Sequence, residues 1–107
     1  MNLSDRTRDF ALRVIRLSSA LPSNRTADVI ARQLLRAGTS PGAHFREALR
    51  ARSKAEYVAK INGGLMELEE TLYWLEIVDG AKFLPTRKLE AIRQETFVSL
   101  IKKWRGR

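Results

Sequence analysis

The sequence has no cysteine, one histidine, six glycines and three prolines in 107 residues, and the missing residue types exclude several classes of protein. Without cysteine there is no disulfide scaffold, no thiolate zinc site and no cysteine nucleophile. No window approaches the ~20 consecutive apolar residues that a membrane-spanning helix needs. We therefore predict a cytoplasmic protein that has no membrane partner, no bound metal and no cofactor.

The single histidine limits catalysis further. Di-iron bundle proteins use Glu-x-x-His pairs, but Pro41 stands three residues before His44, so no such pair exists. Glu67 and Glu70 lie one helical turn apart, and a solvated or ion-paired acidic face explains them better than a metal site does. Since one histidine near the start of a helix supports no Ser–His–acid arrangement, we predict no catalytic residue and no enzyme activity.

The loop formed by residues 38–42 contains two glycines and resembles a phosphate-binding loop only in part. A P-loop needs a lysine after its second glycine, and Ala43 occupies that place. The free amides of a helix beginning near Ser40 would still attract a phosphate. A plain helix–helix turn is the favoured interpretation, and phosphate binding is the alternative.

Positive charge is what the sequence has in excess. Twenty Lys and Arg face twelve Asp and Glu, which gives a formal net charge of +8. Residues 1–60 carry twelve basic and five acidic side chains, residues 61–79 carry five acidic and no basic ones, and residues 80–107 carry eight basic and two acidic. Arginine outnumbers lysine, which suits bidentate contacts with phosphates. The charge predicts an anionic partner.

Apolar residues recur at intervals of three and four, which predicts four helices in a single all-α domain covering residues 1–107. The predicted helices run from about Ser4 to Ala20, Asn24 to Arg36, Pro41 to Asp79 and Thr86 to Trp104. Ser4 is expected to cap the first helix. The second is expected to end at Gly38, with Ser40 and Pro41 beginning the third. The pattern contains no strand signal.

The long third helix has two apolar faces. One contains Ala48, Ala51, Ala55, Ala59, Asn62, Met66, Tyr73 and Ile77. The other contains Tyr57, Ile61, Leu65, Leu68, Leu72 and Leu75. Because a helix against one core needs a single stripe, a second copy of the chain is expected to cover one face, and we predict the Tyr57–Leu75 set as the oligomer interface. Two adjacent glycines at 63 and 64 predict a kink or a close helix contact.

The basic residues form several candidate nucleic-acid-binding groups. These are Arg25, Arg32 and Arg36 on the second helix, Arg46, Arg50 and Lys54 on the third, and Lys102 and Lys103 in the basic tail. The alternative for each group is a solvated face with acidic neighbours such as Glu47 and Glu56. No RNA-recognition aromatic motif, zinc finger or helix-turn-helix spacing is visible, so any recognition would be of backbone and shape, with RNA preferred over DNA.

Several blocks of sequence resemble one family. The run from Ile30 to Ser40, followed by Gly42-Ala43 and by Arg46-Glu47-Ala48, and the later stretch from Glu69 to Leu75, are similar to the four-helix-bundle proteins encoded in intervening sequences of bacterial 23S rRNA genes. The similarity extends over nearly the whole chain. At two positions the chain departs from the family: Pro41 replaces an aliphatic residue and His44 replaces an asparagine, so we expect a local difference between the second and third helices.

The resemblance implies an up-and-down antiparallel four-helix bundle that assembles into a ring-like homopentamer without catalytic activity. It also implies kinship with the accessory proteins of diversity-generating retroelements, which bind nucleic acid and a reverse transcriptase. Two functions therefore compete. The first is a nucleic-acid-binding bundle, and the alternative is an oligomeric scaffold or accessory subunit whose partner is a protein such as a reverse transcriptase.

Overall fold

A computed structural model of the chain describes residues 2–105, apart from the side chains of residues 97–99. It contains α1 (Leu3–Ser19), α2 (Arg25–Leu49), α3 (Lys54–Gly80) and a fourth segment, in which α4 (Thr86–Gln94) continues through a π-helical stretch (Glu95–Ile101) into α5 (Lys102–Arg105). The described residues include no strand. The predicted all-α fold with four helical segments is confirmed, and the last two residues of the basic tail lie outside the described part.

Asn2 caps α1, so the expectation that Ser4 would do so is wrong. The side-chain oxygen of Asn2 accepts a hydrogen bond from the backbone N–H of Asp5 at 2.9 Å. Asn24 caps α2 in the same way, accepting from the N–H of Ala27 at 2.8 Å. Each cap satisfies one of the N–H groups that a helix start leaves without an intrahelical partner.

The predicted break at residues 38–42 is also wrong, because α2 runs without interruption from Arg25 to Leu49. Gly38 and Pro41 are buried inside this helix rather than placed at its ends. The hydroxyls of Thr39 and Ser40 donate to the carbonyls of Leu35 at 2.7 Å and Arg36 at 2.6 Å, one turn earlier in the same helix. The segment is therefore helical through the proline, and Ser40 is not an N-cap.

The two glycines of this segment lie in α2 because α1 packs directly on them. A β-carbon built on Gly38 would lie 2.7 Å from Cγ1 of Val14, and one built on Gly42 would lie 3.1 Å from the hydroxyl oxygen of Thr7. No larger residue fits at Gly38 without displacing α1. The glycines therefore serve close helix packing, not chain reversal.

The real boundary between the second and third helices is a short connection after Arg50. Ser53 caps α3, its hydroxyl oxygen accepting from the N–H of Glu56 at 3.0 Å. The predicted start of the third helix at Pro41 is thus 13 residues too early. The predicted end near Asp79 agrees with the observed end at Gly80.

Contacts between segments show that consecutive segments run antiparallel. Along α2 and α3, Arg36 meets Glu70 at 3.2 Å while Glu47, further along α2, meets Lys60, earlier in α3. Along α3 and the fourth segment, Asp79 meets Arg93 while Glu69 meets Arg105, each at 3.1 Å. Arg13 of α1 pairs with Glu95 of the fourth segment.

Trp104, in α5, is buried in the core and contacts both α2 and α3. Its indole N–H donates to the carbonyl of Ile61 at 2.6 Å, and its ring meets Phe45 edge-on with centroids 5.8 Å apart. A β-carbon built on Gly64 would overlap the Trp104 ring. The predicted close contact at the paired glycines is confirmed, and Gly64 is the position that the tryptophan requires to be small.

Two apolar faces exist on α3, but Ala48 and Ala51, predicted on the first of them, precede this helix: Ala48 is buried in α2 and Ala51 lies in the connection. The roles of the faces also differ from the prediction. In the set predicted as the oligomer interface, Ile61, Leu68 and Leu75 are buried in the core of the single chain, and Tyr57, Leu65 and Leu72 pack against that core. This corrects the assignment of the three buried residues, which have no surface to offer a second copy. The exposed large apolar side chains lie on the opposite face: Val58, Met66 and Tyr73.

The packing at Gly64 gives a stability prediction. Gly64→Ala places a methyl group where the Trp104 ring lies, so we expect the free energy of unfolding to fall by about 1–3 kcal/mol as the core shifts. The matched control is Gly80→Ala, because a methyl group added at Gly80 would point into open space and the residue has no positive φ. Urea unfolding followed by circular dichroism measures both, and equal stabilities would contradict the packing role.

Candidate nucleic-acid interface

Because α2 is one continuous helix, two groups of arginines that the sequence assigned to separate helices lie on one face. At about 100° per residue, spacings of 7, 4, 10 and 4 keep the five residues within about 80° of one another around the helix axis. Arg50 is the C-cap that directly follows α2. All five side chains are exposed, opposite the buried face that contains Leu34 and Phe45. We call this face the arginine stripe; it consists of Arg25, Arg32, Arg36, Arg46 and Arg50.

Four arginines of the stripe make no ion pair among the described residues, and only Arg36 makes one. The guanidinium of Arg36 donates to Glu70 at 3.2 Å and to Gln33 at 3.1 Å, and its side chain is 61% exposed. The Glu70 side chain is 34% exposed, and its carboxylate also accepts a hydrogen bond from the indole N–H of Trp74 at 3.1 Å, so it keeps a partner without Arg36. A partly exposed pair of this kind contributes about 0–1 kcal/mol, so a phosphate can replace the carboxylate at little cost. The stripe is therefore a row of available guanidinium groups about 37 Å long at 1.5 Å per residue.

The other predicted cations lie at one end of the bundle. Lys54 is the first residue of α3, directly after the end of α2, and it is exposed. Lys102 and Lys103 are exposed on α5, which the contact between Trp104 and Phe45 places beside the last turns of α2. We call this group the basic end; it consists of Arg46, Arg50, Lys54, Lys102 and Lys103.

Five of the eight residues predicted to bind nucleic acid thus lie at the basic end. The other three lie on the arginine stripe, and Arg46 and Arg50 belong to both groups. Arg25 lies at the other end of α2, about 37 Å from Arg50 by helix length. Arg25 and the basic end therefore cannot contact the same phosphate. A single extended polyanion lying along α2 would reach both.

Two residues near the basic end were missed by the sequence analysis. Arg8 and Ser4 of α1 line the groove between α1 and α2, opposite Arg46. Another arginine of α1, Arg13, is occupied by its ion pair with Glu95. The spacing of Ser4 and Arg8, one helical turn, places both on one face of α1. The sequence could not show that this face lies opposite Arg46, because it predicted that the second helix ends at Gly38.

Glu47 is an acidic residue that lines the same cavity as Arg46 and Arg50, and its charge is paired with that of Lys60. The two side chains are 2.9 Å apart. The hydrogen bond from Lys60 and the charge of Lys60, together with a smaller effect of His44, hold the pKa of Glu47 below its ordinary value. The carboxylate therefore stays ionised and bound to its own lysine.

His44 and the acidic residues are the other side chains that could bind a metal ion or transfer a proton. No group of three or more acidic, histidine or cysteine side chains in residues 2–105 is arranged to hold a metal ion. His44 lies against Gly63, and its Nδ1 is buried without a hydrogen-bond partner in the described chain. Within that same range, no helix is long and apolar enough to cross a membrane.

Comparison with known proteins now assigns the chain to a family. The model of the 23S rRNA-intervening sequence proteins matches residues 1–102. The chain belongs to this family. A protein with unknown function from the S23 ribosomal protein family of Bacteroides thetaiotaomicron has a similar crystal structure, with 33% sequence identity and a TM-score of 0.88 over 96% of this chain and 94% of that one. No curated protein matches the chain.

Membership in the 23S rRNA-intervening sequence family confirms the resemblance found in the sequence. The matched region includes every residue of the arginine stripe and Lys102. The similarity in fold over almost the full length of both chains also supports the helix order described above.

The pairing of Glu47 predicts a measurable titration change. Replacing the lysine, Lys60→Met, removes the hydrogen bond and the charge, so the pKa of Glu47 should rise toward its ordinary value. In the wild type the ion pair is present above the lowered pKa and is lost as the pH falls through it. Carboxyl-carbon NMR titration measures the pKa.

The control for that titration is Lys102→Met, which removes an equal charge that pairs with no described acidic residue. We expect the pKa of Glu47 to be nearly unchanged in this variant. An unchanged Glu47 pKa in Lys60→Met would contradict the pairing.

Proposed function

We propose that this protein of the 23S rRNA-intervening sequence family is a non-enzymatic helical bundle that binds nucleic acid, RNA in preference to DNA. The observation that carries the proposal is the arginine stripe, in which Arg25, Arg32, Arg46 and Arg50 are exposed on one face of α2 without an acidic partner among the described residues. Arginine presents a planar fork of donors that matches a phosphate. A row of such groups suits a polyanion better than a small ligand.

The stripe supports recognition of the backbone and of shape. It contains no aromatic side chain on which a base could stack, and the large apolar residue on that side of α2, Val29, is only half-exposed. Contacts with phosphates position a nucleic acid but carry no sequence information directly. The family is named for an intervening sequence of 23S rRNA and not for a ligand, and structured RNA is the first ligand to test because the stripe suits a polyanion.

We further propose that the chain acts as a homo-oligomer, a pentameric ring as the family resemblance implies. The physical support is the exposed apolar face of α3, where Met66 is 70% exposed, Tyr73 53% and Val58 45%. Together with the small exposed residues Ala55 and Ala59, these side chains form a face that water solvates poorly and that allows close helix approach. This face replaces the buried Ile61, Leu68 and Leu75 as the proposed interface.

The alternative function is an accessory subunit for a protein such as a reverse transcriptase. Its support is a second set of exposed apolar side chains on α1, Leu12 and Ile15, which are 37% and 42% exposed. These residues lie outside both the arginine stripe and the exposed face of α3. This function takes precedence if binding to RNA disappears near physiological salt.

Binding to RNA should depend on the stripe and on salt. We expect the purified, nuclease-treated protein to bind labelled structured RNA near 150 mM salt with a steep salt dependence, about −0.7 to −0.9 in log–log slope for each neutralised phosphate. The triple variant Arg32→Gln, Arg46→Gln and Arg50→Gln should bind more weakly, with a slope lower in magnitude by about 2. Fluorescence anisotropy across a salt series measures both.

The control for the RNA experiment removes the same charge elsewhere. Arg16→Gln, Arg87→Gln and Lys88→Gln replace three exposed cations outside the stripe that make no ion pair among the described residues. If this control and the stripe variant lose the same affinity, binding reflects net charge, and the stripe is not the interface. Circular dichroism confirms that both variants remain helical.

Assembly is tested by placing charge on the exposed face of α3. The double variant Met66→Glu and Tyr73→Glu should reduce the native mass to that of the 12.2 kDa monomer, because two buried carboxylates cannot be desolvated in an interface. Val29→Glu, at an exposed apolar site on α2, is the control and should keep the wild-type mass. Light scattering after size exclusion gives the masses, and a monomeric wild type would refute the assembly proposal.

A further inference from the structure

A groove between α1 and α2 opens beside the basic end. It comprises two adjoining cavities, of about 460 Å³ and about 430 Å³, which share Ser4 and Arg46. Arg8 and Thr39 line the first cavity, and Arg50 lines the second. These volumes fall in the range of about 300–1,000 Å³ that is typical of ligand sites.

Close packing of the two helices creates the floor of this groove. Gly42 lets the backbone of α1 approach at Thr7, and the neighbouring lining residues, Ala11 and Ala43, are small. The long side chains of Arg8 and Arg46 therefore rise from two different helices on either side of a shallow floor. Two guanidinium groups on opposite walls can approach one anion from both sides.

The groove is lined by arginines that are free to bind an anion. No carboxylate lines the first cavity. Arg46 has no ion pair among the described residues, and the pair between Arg8 and Asp9, at 3.2 Å, is between side chains that are 63% and 46% exposed. Exposed pairs of this kind are weak, so a phosphate can displace Asp9 from Arg8. Glu47, which lines the second cavity, is bound by Lys60.

The hydroxyl groups define where a phosphate oxygen can be bound. Thr7 and Thr39 already donate their hydroxyl hydrogens to the carbonyls of Leu3 and Leu35, each at 2.7 Å. The hydroxyl of Ser4 makes no hydrogen bond in the described chain, so it is free to donate. Ser4, Arg8 and Arg46 are thus the three donors that face this cavity.

We infer that this groove is a discrete phosphate-binding site, in which Arg8, Arg46 and Ser4 hold one phosphate group of a nucleic-acid strand. The inference rests on the proposed function, since the strand is the ligand of the arginine stripe, and it adds a specific location. The second cavity, with Arg50, takes the neighbouring part of the same strand. Arg46 belongs to both cavities and lies on the stripe, so the groove continues the stripe toward α1.

The first test uses inorganic pyrophosphate at constant ionic strength, followed by amide NMR. In the wild type we expect saturable shifts concentrated at Ser4, Arg8, Ala43 and Arg46. The double variant Arg8→Gln and Arg46→Gln should raise the dissociation constant for pyrophosphate by about tenfold or more, because both guanidinium groups that hold the phosphate are removed. Shifts spread evenly over all basic segments would overturn the inference.

The matched control is Arg16→Gln with Arg87→Gln, which removes two exposed charges outside the groove and the stripe. It should leave the dissociation constant for pyrophosphate within about twofold, the size expected of a screened change in net charge. An equal loss in the control and in the groove variant would show a general field rather than a site.

The second test repeats both double variants with labelled RNA near 150 mM salt. The groove variant should lose about tenfold more affinity than the control. If RNA binds the wild type but both variants lose the same affinity, the groove inference is wrong while the nucleic-acid function stands. If RNA does not bind the wild type, the proposed function is wrong, and the localised pyrophosphate shifts alone decide whether the groove takes a free phosphate.

Discussion

The close approach of α1 to α2 at two glycines is the contact on which the surface of this protein depends. Gly38 admits the side chain of Val14 and accepts no larger residue without moving α1, and at Gly42 a methyl group would require Thr7 to shift by a few tenths of an ångström. Both glycines and the buried Pro41 lie within one helix, although each glycine costs about 1 kcal/mol of helix propensity and an interior proline about 3. Tertiary packing must therefore hold this segment helical. Because it does, the arginines before and after it share one face.

The ion pairs divide the charges of the chain into two groups with different roles. The acidic residues of α3 meet cations on both neighbouring segments, Glu70 with Arg36, Glu69 with Arg105, and Asp79 with Arg93. The acidic stretch between two basic blocks thus lies between the segments that carry them. The Glu69–Arg105 pair is exposed and the other two are partly exposed, with Asp79–Arg93 the most buried of the three. Solvated pairs contribute about 0–1 kcal/mol each, so the core around Trp104 and Phe45 holds the bundle together. Of the twelve cations that make no ion pair among the described residues, seven lie on the arginine stripe or at the basic end.

The sequence predicted what local periodicity determines and failed where a tertiary contact overrides it. The spacing of the apolar residues predicted four helical segments. The paired glycines predicted the close helix contact at Gly64. Gly38, Ser40 and Pro41 are residue types typical of a helix end, so the sequence predicted one there. The sequence does not show that Val14 of α1 packs directly on Gly38, which is a tertiary contact. The same limit applies to α3, where two apolar faces are evident but only the packing shows which one is inside. The sequence indicated each arginine of the stripe separately. It did not indicate Arg8 and Ser4, because their role depends on which face of α1 packs against α2.

The positions of the two exposed surfaces make assembly and binding compatible. The apolar face of α3 that includes Met66 lies opposite the core side of α3, and the arginine stripe lies opposite the core side of α2. Covering the first with another copy therefore leaves the stripe open apart from Arg36, which contacts Glu70 one helical turn from Met66. Each added copy would then present one more stripe to the same polyanion. Since linked sites raise the effective concentration of the second contact, the assembly would strengthen binding without any new kind of contact, and a weak contact per subunit would be sufficient.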